Sequence, residues 1–231
     1  ARVGSFARAT AALDALGEAG IDISANTNFN RFNRDDMEAL YTVLRDRGVR
    51  SWQVQLTAPL GRAADSPAML LQPWDLLDLV PRLAKLKRRG LDEGLRIMPG
   101  NNLGYFGPEE GLLRSQNAGD LDHFQGCQAG RFVAGIESSG AVKGCPSLQT
   151  THYVGGSLRE RTLRDIWEGA PELAFARART TDDLWGFCKR CEFAATCLAG
   201  CSFTSHAFFG RPGNNPYCHY RARVMRARAK R

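Results

Sequence analysis

The chain has 231 residues with a formal net charge of +7 at pH 7, and 43% of the residues are hydrophobic. This length allows one large domain or two modest ones, and the hydrophobic content excludes a disordered chain. No apolar run approaches the roughly eighteen residues of a membrane span, and the first residues do not resemble a cleaved signal peptide, so a reducing cytoplasm is the expected compartment.

The first half of the chain alternates helix and strand signals. Periodicity and glycine punctuation predict helices over 5–20, 34–48 and 72–90, each followed by a strand, over 21–30, 50–58 and 94–100. Such βα alternation is typical of a parallel sheet or a barrel segment. Because three units are too few to close a barrel of eight, either further units precede Ala1 or the barrel is open.

The first two predicted strands each carry a polar face. Asn26 and Asn28 share one side of the first strand, and Gln53 and Gln55 share one side of the second. A parallel strand covered by helices on both faces would be apolar throughout. The polar faces therefore favour a barrel whose interior holds a polar ligand, with chance alternation in short strands as the alternative.

After about residue 116 regular structure becomes sparse. A hairpin is predicted over 131–146, and a short helix over 157–170 with Ser157 as its cap and Glu160 completing a capping box. Residues 186–220 are rich in turn formers, and a segment with so little regular structure needs cross-links such as metal sites for stability. The basic tail RARVMRARAKR predicts a solvated terminal helix, and an acidic-peptide or nucleic-acid contact is the alternative.

All seven cysteines follow residue 126: Cys127, Cys145, Cys188, Cys191, Cys197, Cys201 and Cys218. An odd number cannot pair completely into disulfides, and clustered thiols in a reducing compartment indicate a metal site. The spacing reads C-x12-G-x4-C, then C-x2-C-x5-C-x3-C, then a distant cysteine. Thiolates suit zinc and iron–sulfur clusters alike, so from spacing alone both metals stay open, as does a division into four and three ligands.

This pattern resembles the seven-cysteine signature of the SPASM domain, the C-terminal extension of radical S-adenosylmethionine (SAM) enzymes that modify peptides and proteins. The resemblance covers about residues 121–220 and includes the stretches GIESSGAVKGCPS, TLRDIWE and GRPGNNPYC. The implied fold is α/β, namely the C-terminal part of a partial (β/α)6 TIM-like barrel over 1–115, followed by a loop-rich α+β SPASM domain over 116–231.

The resemblance implies two auxiliary [4Fe–4S] clusters. Cys127, Cys145 and Cys201 would bind the first cluster, and Cys188, Cys191, Cys197 and Cys218 would bind the second. No cysteine precedes Cys127, and the adjacent stretch LDHFQGC offers only Asp122, His123 and Gln125 as further donors. The first cluster is therefore expected to be open to a substrate or closed by an oxygen or nitrogen ligand.

The resemblance also implies a radical SAM oxidoreductase. In such enzymes SAM and a third [4Fe–4S] cluster generate a 5′-deoxyadenosyl radical, and the auxiliary clusters transfer electrons or ligate the substrate. The candidate residues for SAM or the barrel interior are Asn26, Asn28, Gln53, Gln55 and Arg62. For Arg62, in the stretch PLGRA, a plain surface loop is the alternative, and the loop MPGNNLGY is a similar candidate through Asn101 and Asn102.

The implied partners are a peptide or protein substrate, with or without a leader peptide, and an electron donor such as flavodoxin or ferredoxin. No membrane or nucleic-acid partner is expected. Radical SAM enzymes carry a C-x3-C-x2-C loop, and residues 1–126 contain no cysteine, so this chain is expected to belong to something longer and to be inactive alone.

Three functions stay open at this point. The first is maturation of a ribosomally made peptide (RiPP biosynthesis). The second is protein oxidation of the sulfatase-maturase kind, or cofactor biosynthesis. The third, from another class, is a non-catalytic zinc or iron–sulfur binding module.

Overall fold

The computed structural model describes residues 3–117, 122–148 and 151–230. The polypeptide forms two units: one extends to His123 and includes the segment from Tyr217 onward, and the other is Phe124–Pro216. The C-terminal segment groups with the first unit because its helix packs against the long helix of that unit. The functional division expected from the sequence, 1–115 and 116–231, stays a prediction.

The first unit contains a three-stranded parallel sheet in the order β1-β2-β3. Its elements are α1 (Ser5–Glu18), β1 (Ser24–Phe29), α2 (Met37–Asp46), β2 (Ser51–Leu56), α3 (Leu76–Glu93), β3 (Arg96–Pro99), α4 (Glu110–Arg114) and, from the C-terminal segment, α10 (His219–Ala229). The predicted α/β order is confirmed, and the sheet of the described residues is open, as expected for a partial barrel.

The central strand explains why the sheet has two different faces. Trp52, Val54 and Leu56 are buried, whereas the residues between them are partly exposed. This is the period of two that the sequence predicts for a strand with one apolar and one polar face. The Trp52 indole N–H donates to Thr27 Oγ1 at 2.9 Å, which satisfies the only polar atom of that ring.

The third helix is longer than predicted. Periodicity placed its end at Gly90, but α3 continues to Glu93 and ends at Gly94, whose φ is 80°. Gly90 lies inside the helix, and the position requires glycine because a Cβ there would approach the Leu95 carbonyl oxygen to 2.2 Å. This glycine permits close packing, and the left-handed Gly94 stops the helix.

A buried lysine joins α3 to the end of α4. Lys87 is 1% exposed, and its Nζ donates to the Leu113 and Ser115 carbonyl oxygens at 2.8 and 2.7 Å. These are carbonyls at the C-terminal end of α4, where a helix leaves acceptors without internal partners. Burial, with a smaller contribution from the Arg114 charge, lowers the pKa of Lys87 to about 8.

This lysine predicts a pH dependence of stability. Folded Lys87 releases its proton near pH 8, whereas an unfolded lysine holds it until about pH 10.4. Between these values the unfolded chain binds more protons, so the Lys87 contribution to the free energy of unfolding increases with pH. Urea unfolding at pH 7.5 and pH 10 should show a larger gain for the parent than for Lys87→Met. The exposed neighbour Lys85, changed to Met, is the matched control, and an equal gain in both variants would contradict the assignment.

The second unit is built from short elements. Strands β4 (Gly135–Ile136), β5 (Ala141–Lys143) and β6 (Val154–Ser157) form an antiparallel sheet in that order. Its helices are α5 (Leu163–Gly169), α6 (Pro171–Ala174), α7 (Gly186–Lys189), α8 (Ala194–Cys197) and α9 (Ser202–Phe209). The predicted hairpin is confirmed. Its turn is closed by the Gly140 backbone N–H, which donates to the Glu137 backbone carbonyl oxygen at 2.8 Å.

The helix predicted over 157–170 begins later than expected. Ser157 was expected to cap it, but Ser157 is the last residue of β6, and the Ser157 carbonyl accepts two backbone N–H groups in a turn. Thr162 is the actual cap: its Oγ1 accepts from Asp165 N at 3.1 Å. Thr162, five positions after Ser157, therefore caps the helix, because the residues between them form the turn that follows β6.

The second unit contains separate apolar clusters. One comprises Val142, Ile166, Ala170 and Leu173, and another comprises Leu184, Cys188 and Ala199. Because its strands and helices are short, bound metal can contribute much of the stability of such a unit. Within the described ranges, no helix combines the length and apolar character needed to cross a membrane.

Candidate metal centre

Two other cysteines affect the Cys201 thiol inside the second unit. Burial, with smaller contributions from negative charge at Cys127 and Cys145, raises the pKa of Cys201 to about 11. Such an influence requires Cys127 and Cys145 to lie in the neighbourhood of Cys201, where charge is poorly screened. These are the thiols that the resemblance assigns to the first cluster, and the assignment itself stays a prediction.

A left-handed turn lies between Cys197 and Cys201. α8 ends at Cys197, and the next three residues, Leu198, Ala199 and Gly200, have φ values of 47°, 65° and 65°. α9 then begins at Ser202, with Cys201 at its N-cap position. This left-handed turn, residues 198–200, allows Cys197 and Cys201 to serve different centres although they are four positions apart.

Polar groups point at the sulfurs. The backbone N–H of Asn215 donates to Cys188 Sγ at 3.5 Å, and that of Arg221 donates to Cys218 Sγ at 3.4 Å. An amide interaction from Phe193 acts on Cys191 and opposes the rise in pKa that burial causes. N–H groups directed at thiolates are a general means of stabilising iron–sulfur ligands and tuning their potential.

An orphaned hydroxyl tests whether the donor set fits a cluster. The Thr204 hydroxyl is buried, with no hydrogen-bond partner of normal geometry in the described part of the chain. Its backbone and side chain nevertheless lower the pKa of Cys201 against the effect of burial. A metal-bound thiolate or a cluster sulfide at Cys201 would give this hydroxyl an acceptor, so the residues present fit the group.

The remaining cysteines are distributed over both units. Cys188, Cys191 and Cys197 lie in the second unit, whereas Cys218 caps α10 in the first, where its sulfur lies at a helix N-terminus that stabilises a thiolate. In the described residues, no three His, Cys, Asp or Glu side chains converge on the position of a single metal ion. Ligands of a [4Fe–4S] cluster bind separate irons, so they need no common point. Joint ligation of a second cluster by these four cysteines stays a prediction.

The predicted polar face exists in the first unit. Asn26 lies opposite Gln53 in the β1–β2 register, and Asn28 lies opposite Gln55. Asn26 Nδ2 donates to Gln53 Oε1 at 3.1 Å, and Gln55 Nε2 donates to the same oxygen at 3.2 Å. The structure therefore brings three of the four residues into one hydrogen-bonded group, and Asn28 is exposed beside them. Their role toward SAM stays a prediction.

The three candidate residues in loops differ in their exposure to solvent. Arg62 lies in an exposed 3₁₀ turn, Gly61–Ala63, and Asn101 is exposed after β3. Asn102, by contrast, is buried, and its side-chain amide pairs with Leu56, accepting from the backbone N at 3.2 Å and donating to the backbone oxygen at 2.8 Å. Asn102 therefore extends the pairing of β2 and has a structural role.

The candidate fourth ligands also differ in their surroundings. His123 is half-exposed, its Nδ1 lies 4.0 Å from Asp122 Oδ1, and its ring packs against Phe106 with centroids 6.2 Å apart. No described contact distinguishes any of the candidates as the ligand of the first cluster, and the open or substrate-bound form stays a prediction.

Sequence reasoning missed two residues beside the first group of cysteines, Thr204 and Arg179. Thr204 follows Cys201 by three positions, and a threonine at the third helical position after an N-cap cysteine is a local signal that could have been noticed. Arg179 is distant in sequence from its hydrogen-bond partners Leu198 and Ser202, so no local pattern indicates this role.

Comparison with known proteins identifies related sequences and a related fold. Residues 127–192 match the SPASM family model, described as an iron-sulfur cluster-binding domain. The AdoMet-dependent heme synthase of Methanosarcina barkeri is 26% identical over 94% of this chain and 62% of its own length. The mycofactocin maturase MftC of Mycobacterium ulcerans is 28% identical over 93% of this chain and 55% of its own length.

Among solved structures, native anSMEcpe with bound AdoMet superposes with a TM-score of 0.68 at 17% identity, covering 98% of this chain and 60% of that one. This likeness shows a common fold. The chain spans 62%, 56% and 60% of the length of three heme synthases that it matches.

Proposed function

Because the chain is a radical SAM/SPASM protein, we propose that it is the later part of an enzyme that modifies a ribosomally made peptide. The observation that supports two centres is that Cys127 and Cys145 influence the pKa of Cys201, while a left-handed turn lies between Cys197 and Cys201. A simple four-thiolate zinc site would use the neighbouring cysteines 188–201 together. The separation supports two centres, which we assign to two auxiliary [4Fe–4S] clusters.

Within this proposal the residues of the chain have distinct tasks. Cys127, Cys145 and Cys201 hold the first cluster, and Thr204 donates toward it. The hydrogen-bonded amides of Asn26, Gln53 and Gln55 face SAM. When bound, SAM and the clusters supply radical and electron-transfer chemistry. The protein's contribution is to orient these groups and to exclude water.

A second function, cofactor biosynthesis, has its own support. Three of the matching relatives are named heme synthases, and others are named mycofactocin maturase. Cofactor biosynthesis therefore predicts a haem precursor as substrate, whereas peptide modification predicts a short peptide. A non-catalytic module would bind metal and would convert neither of these two substrates.

The deciding experiment begins with the residues encoded upstream of Ala1. A C-x3-C-x2-C loop there is expected, and an initiation codon immediately before Ala1 would contradict the enzyme. The complete enzyme, loaded anaerobically with iron and sulfide, should absorb broadly near roughly 400 nm. It should form 5′-deoxyadenosine faster with a short peptide encoded by a neighbouring gene than with a haem precursor. The opposite preference would favour the second function, and colourless protein containing zinc would contradict both.

Addition of SAM should slow amide exchange in β1 and β2.

A further inference from the structure

The turn at residues 198–200 is strained. A spacing of four in a continuous helix would place Cys197 and Cys201 on one face. Here Leu198 and Ala199, which are not glycines, adopt the left-handed region together with Gly200. This conformation is unfavourable for any residue that carries a Cβ. Strain of this kind persists only where surrounding contacts hold it in place.

Arg179 supplies such contacts. Its Nη1 donates to the Leu198 carbonyl oxygen at 3.3 Å, and its Nη2 donates to Ser202 Oγ at 2.9 Å. Leu198 directly follows Cys197, and Ser202 directly follows Cys201, so one planar guanidinium fixes both ends of the turn. The side chain is only 8% exposed, which shields these bonds from water.

The same guanidinium brings a positive charge into the second unit. No carboxylate of the described residues forms a close ion pair with it; the ion pairs of this unit involve Lys143 and Lys189. Burial lowers the pKa of Arg179, and the Cys127 thiol opposes this most, followed by Asp183, Tyr153 and Cys201. A buried charge without a close partner is costly. Thiolates at Cys127 and Cys201 would be its counter-charges.

We propose that Arg179 is a positioning residue of the first auxiliary cluster: it clamps the 198–200 turn that directs Cys201 to that cluster, and its buried charge stabilises the reduced form. This proposal rests on the proposed function, since it requires a cluster at Cys127, Cys145 and Cys201. Reduction adds an electron to the cluster, so a nearby positive charge raises the reduction potential.

The test is an anaerobic redox titration of the iron-loaded chain, followed by electron paramagnetic resonance. The signal that a Cys201→Ala variant lacks identifies the first cluster. In Arg179→Gln, poised at the midpoint potential of the parent, the ratio of reduced to oxidised first cluster should fall about tenfold, while the second cluster keeps its ratio. The matched control is Arg177→Gln: Arg177 is partly exposed, bonds to the Trp167 oxygen at 2.8 Å and should change neither ratio.

The variant Arg179→Lys separates the two roles. It keeps the charge but cannot reach both acceptors, so the ratio should stay within about twofold of the parent while the iron content of the first cluster falls. If Arg179→Gln loses the first cluster and keeps the second, the result supports the role of Arg179 in holding the 198–200 turn. The Arg179→Lys variant then tests the role of its charge. A fully loaded Arg179→Gln with an unchanged ratio, or an equal shift in both clusters, would overturn the proposal. A parent chain that takes up no iron would overturn the proposed function itself, and with it the role of Arg179.

Discussion

A Cys201→Ala substitution is expected to remove the first cluster and to leave the second in place, so that bound iron falls from about eight atoms per chain to about four. The reason is the left-handed turn at Leu198, Ala199 and Gly200, which interrupts the helix between Cys197 and Cys201 and allows them to serve different clusters. The electrostatic influence of Cys127 and Cys145 on the pKa of Cys201 supports the assignment of these three cysteines to one cluster. Iron and sulfide analysis with Mössbauer spectroscopy measures the result.

The matched variant is Cys191→Ala, which should give the reciprocal loss. Cys191 is partly exposed and belongs to the C-x2-C pair assigned to the second cluster. Replacement by alanine removes a ligand in both variants, so a difference between them reports the grouping of ligands. If Cys201→Ala instead lost the second cluster, the assignment of the seven cysteines would be wrong.

Removing iron from the loaded chain is expected to unfold much of the second unit while the first unit stays folded. The second unit has strands of two to four residues, and its apolar side chains lie in separate clusters, one of them around Leu173. Structural metals can contribute most of the folding free energy of such domains. Amide exchange in β5 and α5 should therefore accelerate about a hundredfold after anaerobic chelation.

The first unit supplies the internal reference for this measurement. Its core includes Trp52, Leu83 and Ile97, which are fully buried without any assigned metal ligand among them. Peptides from β2 and α3 should keep their protection in the presence of the chelator. Unchanged exchange throughout the second unit after loss of iron would show that its packing is sufficient without the metal.

Much of the fold follows from local patterns in the sequence. Alternation at Trp52, Val54 and Leu56 predicted both the strand β2 and its polar face, because strand side chains point alternately to opposite sides. Where a pattern offered two solutions, packing chose between them. Gly90 could end a helix or permit a close approach, and only the position of the Leu95 carbonyl decided for the second. The sequence analysis placed the helix cap at Ser157, but β6 extends through Ser157 and the helix begins after Thr162.

The sequence by itself determined that seven thiols are present at spacings that suit metal, and that helices alternate with strands before them. Only the tertiary structure showed the left-handed turn between two of these thiols and the arginine that contacts both ends of it. Cys197 and Cys201 share one short stretch, yet a left-handed turn separates them. The contacts of Arg179 that hold this turn reach residues 19 and 23 positions away. Periodicity reports only on neighbours within a turn or two of chain, so contacts at that distance emerge only when the chain is folded.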